Sequence, residues 1–228
     1  LKLDDDISID LVGLYVPLDT PILLREGWNL ISYLPTEEMD AEDAFETVVD
    51  NLLMVKDDQG HFWTLEHNFS NLDDMRPGEG YQLKVTEDDE LIYPEPNRQL
   101  ANTVERSQSE FKPIGTDNHS VLLVFSNNLP QGEIIAVDDD GNISGAQQIT
   151  GEQTRIGLAV WGEAEAGTEG YGDQEQFKIY HRESAASLGT ELTFNVLAGD
   201  GNWEKDGLSV LAVTGIERHV PETSELLN

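Results

Sequence analysis

The stretch Gly132-Glu-Ile-Ile-Ala-Val-Asp-Asp-Asp-Gly-Asn142, with Arg155-Ile-Gly-Leu-Ala-Val-Trp-Gly-Glu163 behind it, decides the fold class. An apolar strand rises to Val137, an acidic turn spans Asp138–Asn142, and the chain returns through Ile143. A second apolar strand crosses at Arg155–Val160 and breaks at Trp161-Gly162. After a loop rich in Gly and Glu, Gln176-Phe-Lys-Ile-Tyr180 re-enters a strand. Short apolar runs bounded by Gly, Asn and Asp are strand signals, and glycine supplies the positive φ that tight turns require. No step supplies a nucleophile with a base, a metal-ligand cluster or a phosphate-cradling loop. The block therefore reads as a β-sandwich unit, which points to a binding or spacer module.

On either side the pattern continues. Ser120–Phe125, Leu192–Leu197 and Leu208–Val213 are further strands, and their even spacing with almost no helical period predicts a sandwich. The first half differs. Asp40–Asp50 predicts a helix, because Ala41, Ala44, Phe45, Val48 and Val49 share one face and acids fill the first turn. Leu52–Lys56 and His61–Leu65 flank Asp57-Asp-Gln-Gly60 as a hairpin, and Gly80–Val85 and Glu90–Tyr93 flank an acidic turn as another. Ile22–Leu34 reads as a strand pair or a bent strand around Gly27-Trp-Asn29. The expected fold is mainly β: two small β-rich, β-sandwich-like modules, the first with one short α-helix. Their bounds are residues 1–96, a polar linker at 97–110, residues 111–214, and a C-terminal linker at 215–228.

Charge narrows the partners. The 228 residues carry 45 Asp+Glu against 13 Lys+Arg, a net charge of −32. Such a surface repels phosphate backbones and anionic lipid, so nucleic acid is not an expected partner, while solubility, salt tolerance and divalent cations are favoured. With no cysteine, disulfide frameworks, thiolate zinc sites and cysteine nucleophiles are excluded together. The longest apolar runs, such as Val121-Leu-Leu-Val-Phe125, are strand length, and no membrane insertion is expected. The opening at Leu1, without a signal-peptide pattern, reads as a portion of something longer.

Asp138, Asp139, Asp140 and Asn142 are the cation candidates: calcium takes six to eight hard oxygens, and a tight acidic turn offers several. The downstream bidentate Glu of an EF-hand is missing, and an acidic hairpin turn in a very acidic protein is the plainer reading. Glu163, Glu165, Glu169 and Asp173 line a loop that could add oxygens, whereas Asp4-Asp-Asp6 reads as a solvated charge run. Among the tryptophans, Trp28 and Trp161 each sit beside a strand and a glycine and read as core. Trp63 alternates with Phe62, so one of the two should face out, and Trp203 lies in a turn. Trp63 and Trp203 are therefore the carbohydrate-contact candidates. The five histidines are scattered with no metal spacing, and no serine occupies a Gly-x-Ser-x-Gly elbow. Carboxylate pairs arise by chance at this acid density, so no catalytic residue is assigned.

Two segments carry a resemblance. Gly27-Trp-Asn-Leu-Ile-Ser32 with Pro77-Gly-Glu-Gly-Tyr-Gln-Leu-Lys84, over residues 20–95, resembles the "GWNLIS…PGEGY" module of large secreted proteins of Bacteroidetes-type bacteria. Gly132-Glu-Ile-Ile-Ala-Val-Asp138, Gly141, Gly145, Val160-Trp-Gly-Glu163 and Gln176-Phe-Lys-Ile-Tyr180, over residues 112–182, resemble a second module of such proteins, of the "VWGDD…GE.FKIY" type. Glu163-Ala164 departs from the paired acids usual there, and Gln174-Glu175 from Gly-Glu, which weakens any metal inference from the family. The tail Val220-Pro-Glu-Thr-Ser-Glu-Leu-Leu-Asn228 resembles the linker before a type IX secretion sorting domain. The resemblance implies a secreted or cell-surface location and supplies no activity.

The function expected from these readings is a non-catalytic extracellular or cell-surface module pair, acting as spacer, adhesion or assembly unit of a secreted bacterial protein. The alternative is a carbohydrate-binding region of a secreted polysaccharide-degrading enzyme. Expected partners are other surface proteins, copies of the chain itself, or polysaccharide, and calcium is the one cofactor candidate.

Overall fold

A computed structural model describes residues 13–14, 16–95, 118–127, 129–150, 153–165, 167–185 and 187–216. The Asp4-Asp-Asp6 run, the 97–110 linker and the tail past Ile216 lie outside the described residues. Among the described residues the architecture is mainly β, with one short helix.

The first unit orders β1 (Ile22–Leu24), β2 (Gly27–Ser32), α1 (Ala41–Ala44), β3 (Leu52–Lys56), β4 (Phe62–Thr64), β5 (Phe69–Ser70), β6 (Gly80–Val85) and β7 (Asp89–Leu91). Five strands form an antiparallel sheet in the order β2-β6-β3-β4-β5, while β1 and β7 pair separately. The β3–β4 hairpin turns where Gly60 takes φ 86°, a backbone region other residues avoid. The expected pairing of β6 with the Glu90 strand does not form. Instead the Asp88 carboxylate accepts from the Glu26 N–H at 2.9 Å and the Arg25 guanidinium at 2.6 Å, drawing β7 onto β1. The Asp40–Asp50 helix is also shorter than its pattern. Asp40 caps it by accepting from the Glu42 N–H at 2.8 Å, but it ends at Ala44 and a 3-10 turn follows at Val49–Asn51. Thr47, Val48 and Val49 are β-branched and lose side-chain freedom in a helix. The apolar face is kept regardless: Ala41, Ala44, Phe45 and Val48 are buried against Ile31, Val55, Tyr81 and Leu83.

The second unit comprises β8 (His119–Phe125), β9 (Gly132–Val137), β10 (Ile143–Ile149), β11 (Arg155–Trp161), β12 (Ile179–Arg182), β13 (Thr190–Ala198) and β14 (Leu208–Ile216). Its order is β10-β9-β12-β13-β14-β8-β11, antiparallel except for β14 beside β8. The two ends of that order come together, and the sheet nearly closes on itself. Gly145 permits the approach: a Cβ there would lie 2.3 Å from the Ala159 carbonyl oxygen. Inside sit Leu122, Val124, Ile134, Ile156, Leu158, Phe177, Trp203 and Leu211.

A third apolar cluster joins the units. Met54 and Phe62 of the first meet Val121, Leu123 and Val210 of the second, with Trp28, Phe69 and Phe125 packed around them. β8 is thus covered on both faces, which is why Val121–Phe125 is an unbroken apolar run and not an alternation. Two glycines bring the surfaces into contact. A Cβ on Gly60 would lie 2.2 Å from the Ala159 methyl, and one on Gly157 would lie 2.6 Å from the Phe69 ring.

Candidate functional site

The first unit holds a cavity of about 670 Å³ between the β3–β4 turn and the loop entering β6. Asp57, Asp58, Asp73, Asp74 and Glu79 line it with His61, Arg76 and Tyr81. Asp57 organises one wall: one oxygen accepts from the Gln59 N–H at 2.9 Å and the His61 N–H at 2.8 Å, and the other faces His61 Nδ1 at 2.7 Å. On the opposite wall the Tyr81 hydroxyl donates to Glu79 at 2.8 Å and accepts from the Arg76 N–H at 3.0 Å, and burial pushes its pKa up. Burial, then the carboxylates of Asp40, Glu38 and Asp73, hold the Asp74 carboxyl above its usual range. A histidine oriented by a carboxylate is two-thirds of a nucleophilic triad, but no serine, threonine, cysteine or lysine lines this cavity. Its chemistry is that of an acidic cleft suited to a cationic group.

The acidic turn does not assemble a cation site. Asp138 is only 4% exposed, and its carboxylate is filled by protein donors. One oxygen accepts from the Asp140 and Asn142 N–H groups at 3.1 and 2.8 Å. The other takes the Asn142 amide at 3.0 Å, the Gly170 N–H at 3.2 Å and the Ser144 hydroxyl at 3.4 Å. Asp139 pairs with Lys178, whose pKa that carboxylate raises. Asp138 and Asn142 therefore face each other as turn clamps, and the Asp139 carboxylate is directed to Lys178. Among the described residues no three or more acidic or histidine side chains converge as a metal-holding group. Calcium does not fit these residues.

Both carbohydrate candidates are buried. Trp203 is 5% exposed, and its indole N–H donates to the Val160 carbonyl at 2.8 Å inside the second core. Gly162 supplies the room, since a Cβ there would lie 2.2 Å from that indole. Trp63 is 6% exposed and faces the first core, while Phe62 faces the seam. Alternation held along β4, but the second unit covers the face that would have met water. Neither ring offers a free face for a sugar. Trp161 is buried against His119, and Trp28 lies in the seam instead of its own core.

Sequence reasoning missed the charges in that seam. Lys56 is 1% exposed; its ammonium meets the Asp206 carboxylate at 2.5 Å and lies 4.8 Å from the centre of the Trp28 ring. From the other side, Arg155 donates to the Asn68 and His67 carbonyls at 2.8 and 3.3 Å and lies over Phe125. A lysine ending the apolar strand Leu52-Leu-Met-Val-Lys56 and the doubly apolar run at Val121–Phe125 were the available signals. No helix among the described residues is long and apolar enough to cross a membrane. Comparison with protein-family models, curated proteins and solved structures gives no match.

Proposed function

We propose that this chain is a non-catalytic module pair of an extracellular or cell-surface bacterial protein, serving there as a rigid spacer or assembly unit. The observation that carries this reading is the seam. Two units with separate cores share a third apolar cluster, an ion pair with one fully buried partner and a guanidinium bridge. A spacer must hold its ends at a fixed separation, and a seam of this kind removes the hinge that independent modules would have. The acidic surface suits an exposed location, where salt screens self-repulsion. An antibody against the chain should label intact cells or the culture medium. Labelling only after lysis would overturn the location, and turnover in a broad hydrolase screen would overturn the non-catalytic reading.

A further inference from the structure

We infer that Lys56 is a register pin: its buried charge fixes how the two units dock, and contributes little to how stably they fold. Apolar contact is non-directional, and the centre of the seam is built from Met54, Phe62, Val121, Leu123 and Val210, with the Arg155 bridge to the Asn68 and His67 carbonyls as its exposed polar contact. Faces of this sort can slide by a residue while still burying apolar area. A buried ammonium paired with Asp206 removes that freedom, because a displaced arrangement leaves the Lys56 charge, 1% exposed, unpaired away from water.

Both ends of the pair are placed in advance. Lys56 closes β3, whose register with β4 and β6 is set by the sheet. Asp206 lies in the turn entering β14, in the left-handed region at φ 60°, with its N–H donating to the His119 carbonyl at 3.1 Å. A non-glycine residue held there reports a turn fixed by its surroundings. Trp28 offers its ring face to Lys56, and Lys84 approaches the same ring at 5.5 Å. Desolvation lowers the Lys56 pKa against the pull of Asp206, with Lys205 and Lys84 adding like charge. Replacing a buried ion pair by apolar side chains of similar volume is often neutral or stabilising, whereas removing one partner strands the other. Removing the charge and removing its partner should then have opposite effects.

The inference deepens the spacer reading by naming what holds the two units in one geometry, but it is tested independently of cellular location. The chain has no cysteine, so Leu23→Cys and Leu188→Cys, 68% and 46% exposed, place one spin label on each unit. In the parent the interlabel distance should be single and narrow. Lys56→Met should keep or raise Tm while broadening that distribution. Asp206→Asn should lower Tm by roughly 5–10 °C, by stranding the ammonium, and Lys56→Met added to it should recover most of the loss. A narrow distribution in Lys56→Met, or a Tm loss in Lys56→Met equal to that of Asp206→Asn and unrecovered in the double variant, overturns the inference. Should Lys56→Met fail to fold, the charge is a stability element and the inference is also overturned. Intracellular location with a broadened Lys56→Met distribution would sink the spacer reading and leave the pin standing.

Discussion

Asp138 separates a structural from a cation-binding role at a single side chain. Its carboxylate satisfies the Asn142 and Gly170 amides, and an unsatisfied buried donor costs about 1–3 kcal/mol. Asp138→Ala should therefore cost about 3 kcal/mol by urea unfolding, with Asp138→Asn intermediate. Millimolar calcium should raise Tm no more than sodium chloride at matched ionic strength, because both Asp138 oxygens already accept protein hydrogens and Asp139 pairs with Lys178. A larger calcium shift lost in Asp138→Asn would contradict this. Asp74 shows the opposite balance: burial and neighbouring acids raise its folded pKa. Its contribution to stability is present below the unfolded carboxylate value of about 3.9 and is lost as pH rises through the raised folded value. Asp74→Asn should accordingly stabilise at pH 7 by a few tenths to about 1 kcal/mol, with no gain near pH 3, read from urea midpoints. From the sequence, Asp138 was legible as a special turn residue. Its five donors were not, because Gly170 and Ser144 reach it only through the fold.

At the level of elements, strands of the second unit were legible because apolar runs punctuated by Gly and Asp are local signals. The Asp57–Gly60 hairpin was legible for the same reason. What failed was partner choice. Gly80–Val85 and the following strand are separated like a hairpin, yet side-chain hydrogen bonds at Asp88 send β7 to β1. The helix was overestimated because an apolar stripe reports burial of a face, not continuity of the backbone. Closure of the second sheet was invisible in the sequence, where nothing local to Gly145 marks a close approach of two strands. Because a Cβ there would strike backbone, Gly145→Ala should cost about 1–3 kcal/mol by pushing β10 from β11. An unchanged urea midpoint would show that the two strands do not need this approach.

Over the whole molecule, burial read from alternation assumes each unit meets water on one face, and the seam breaks that assumption. Phe62, Met54 and Lys56 lie on the outward face of their sheet and are buried by the other unit. Trp63 was lost as a sugar contact because it faces its own unit's core while Phe62 takes the seam face, and Trp203 was lost to a turn that folds inward. Leu123→Ala, on the seam face of β8, should cost about 2–5 kcal/mol, as in a core, although it touches neither unit's own centre. The claim that the two units form one body is tested most directly by native-state hydrogen exchange in increasing urea, followed amide by amide. Amides of β3 and β4 and those of β8 and β14 should converge on one opening free energy with one urea dependence. Exchange of the first unit through a separate opening of lower energy and smaller urea dependence, with β8 still fully protected, would contradict the account.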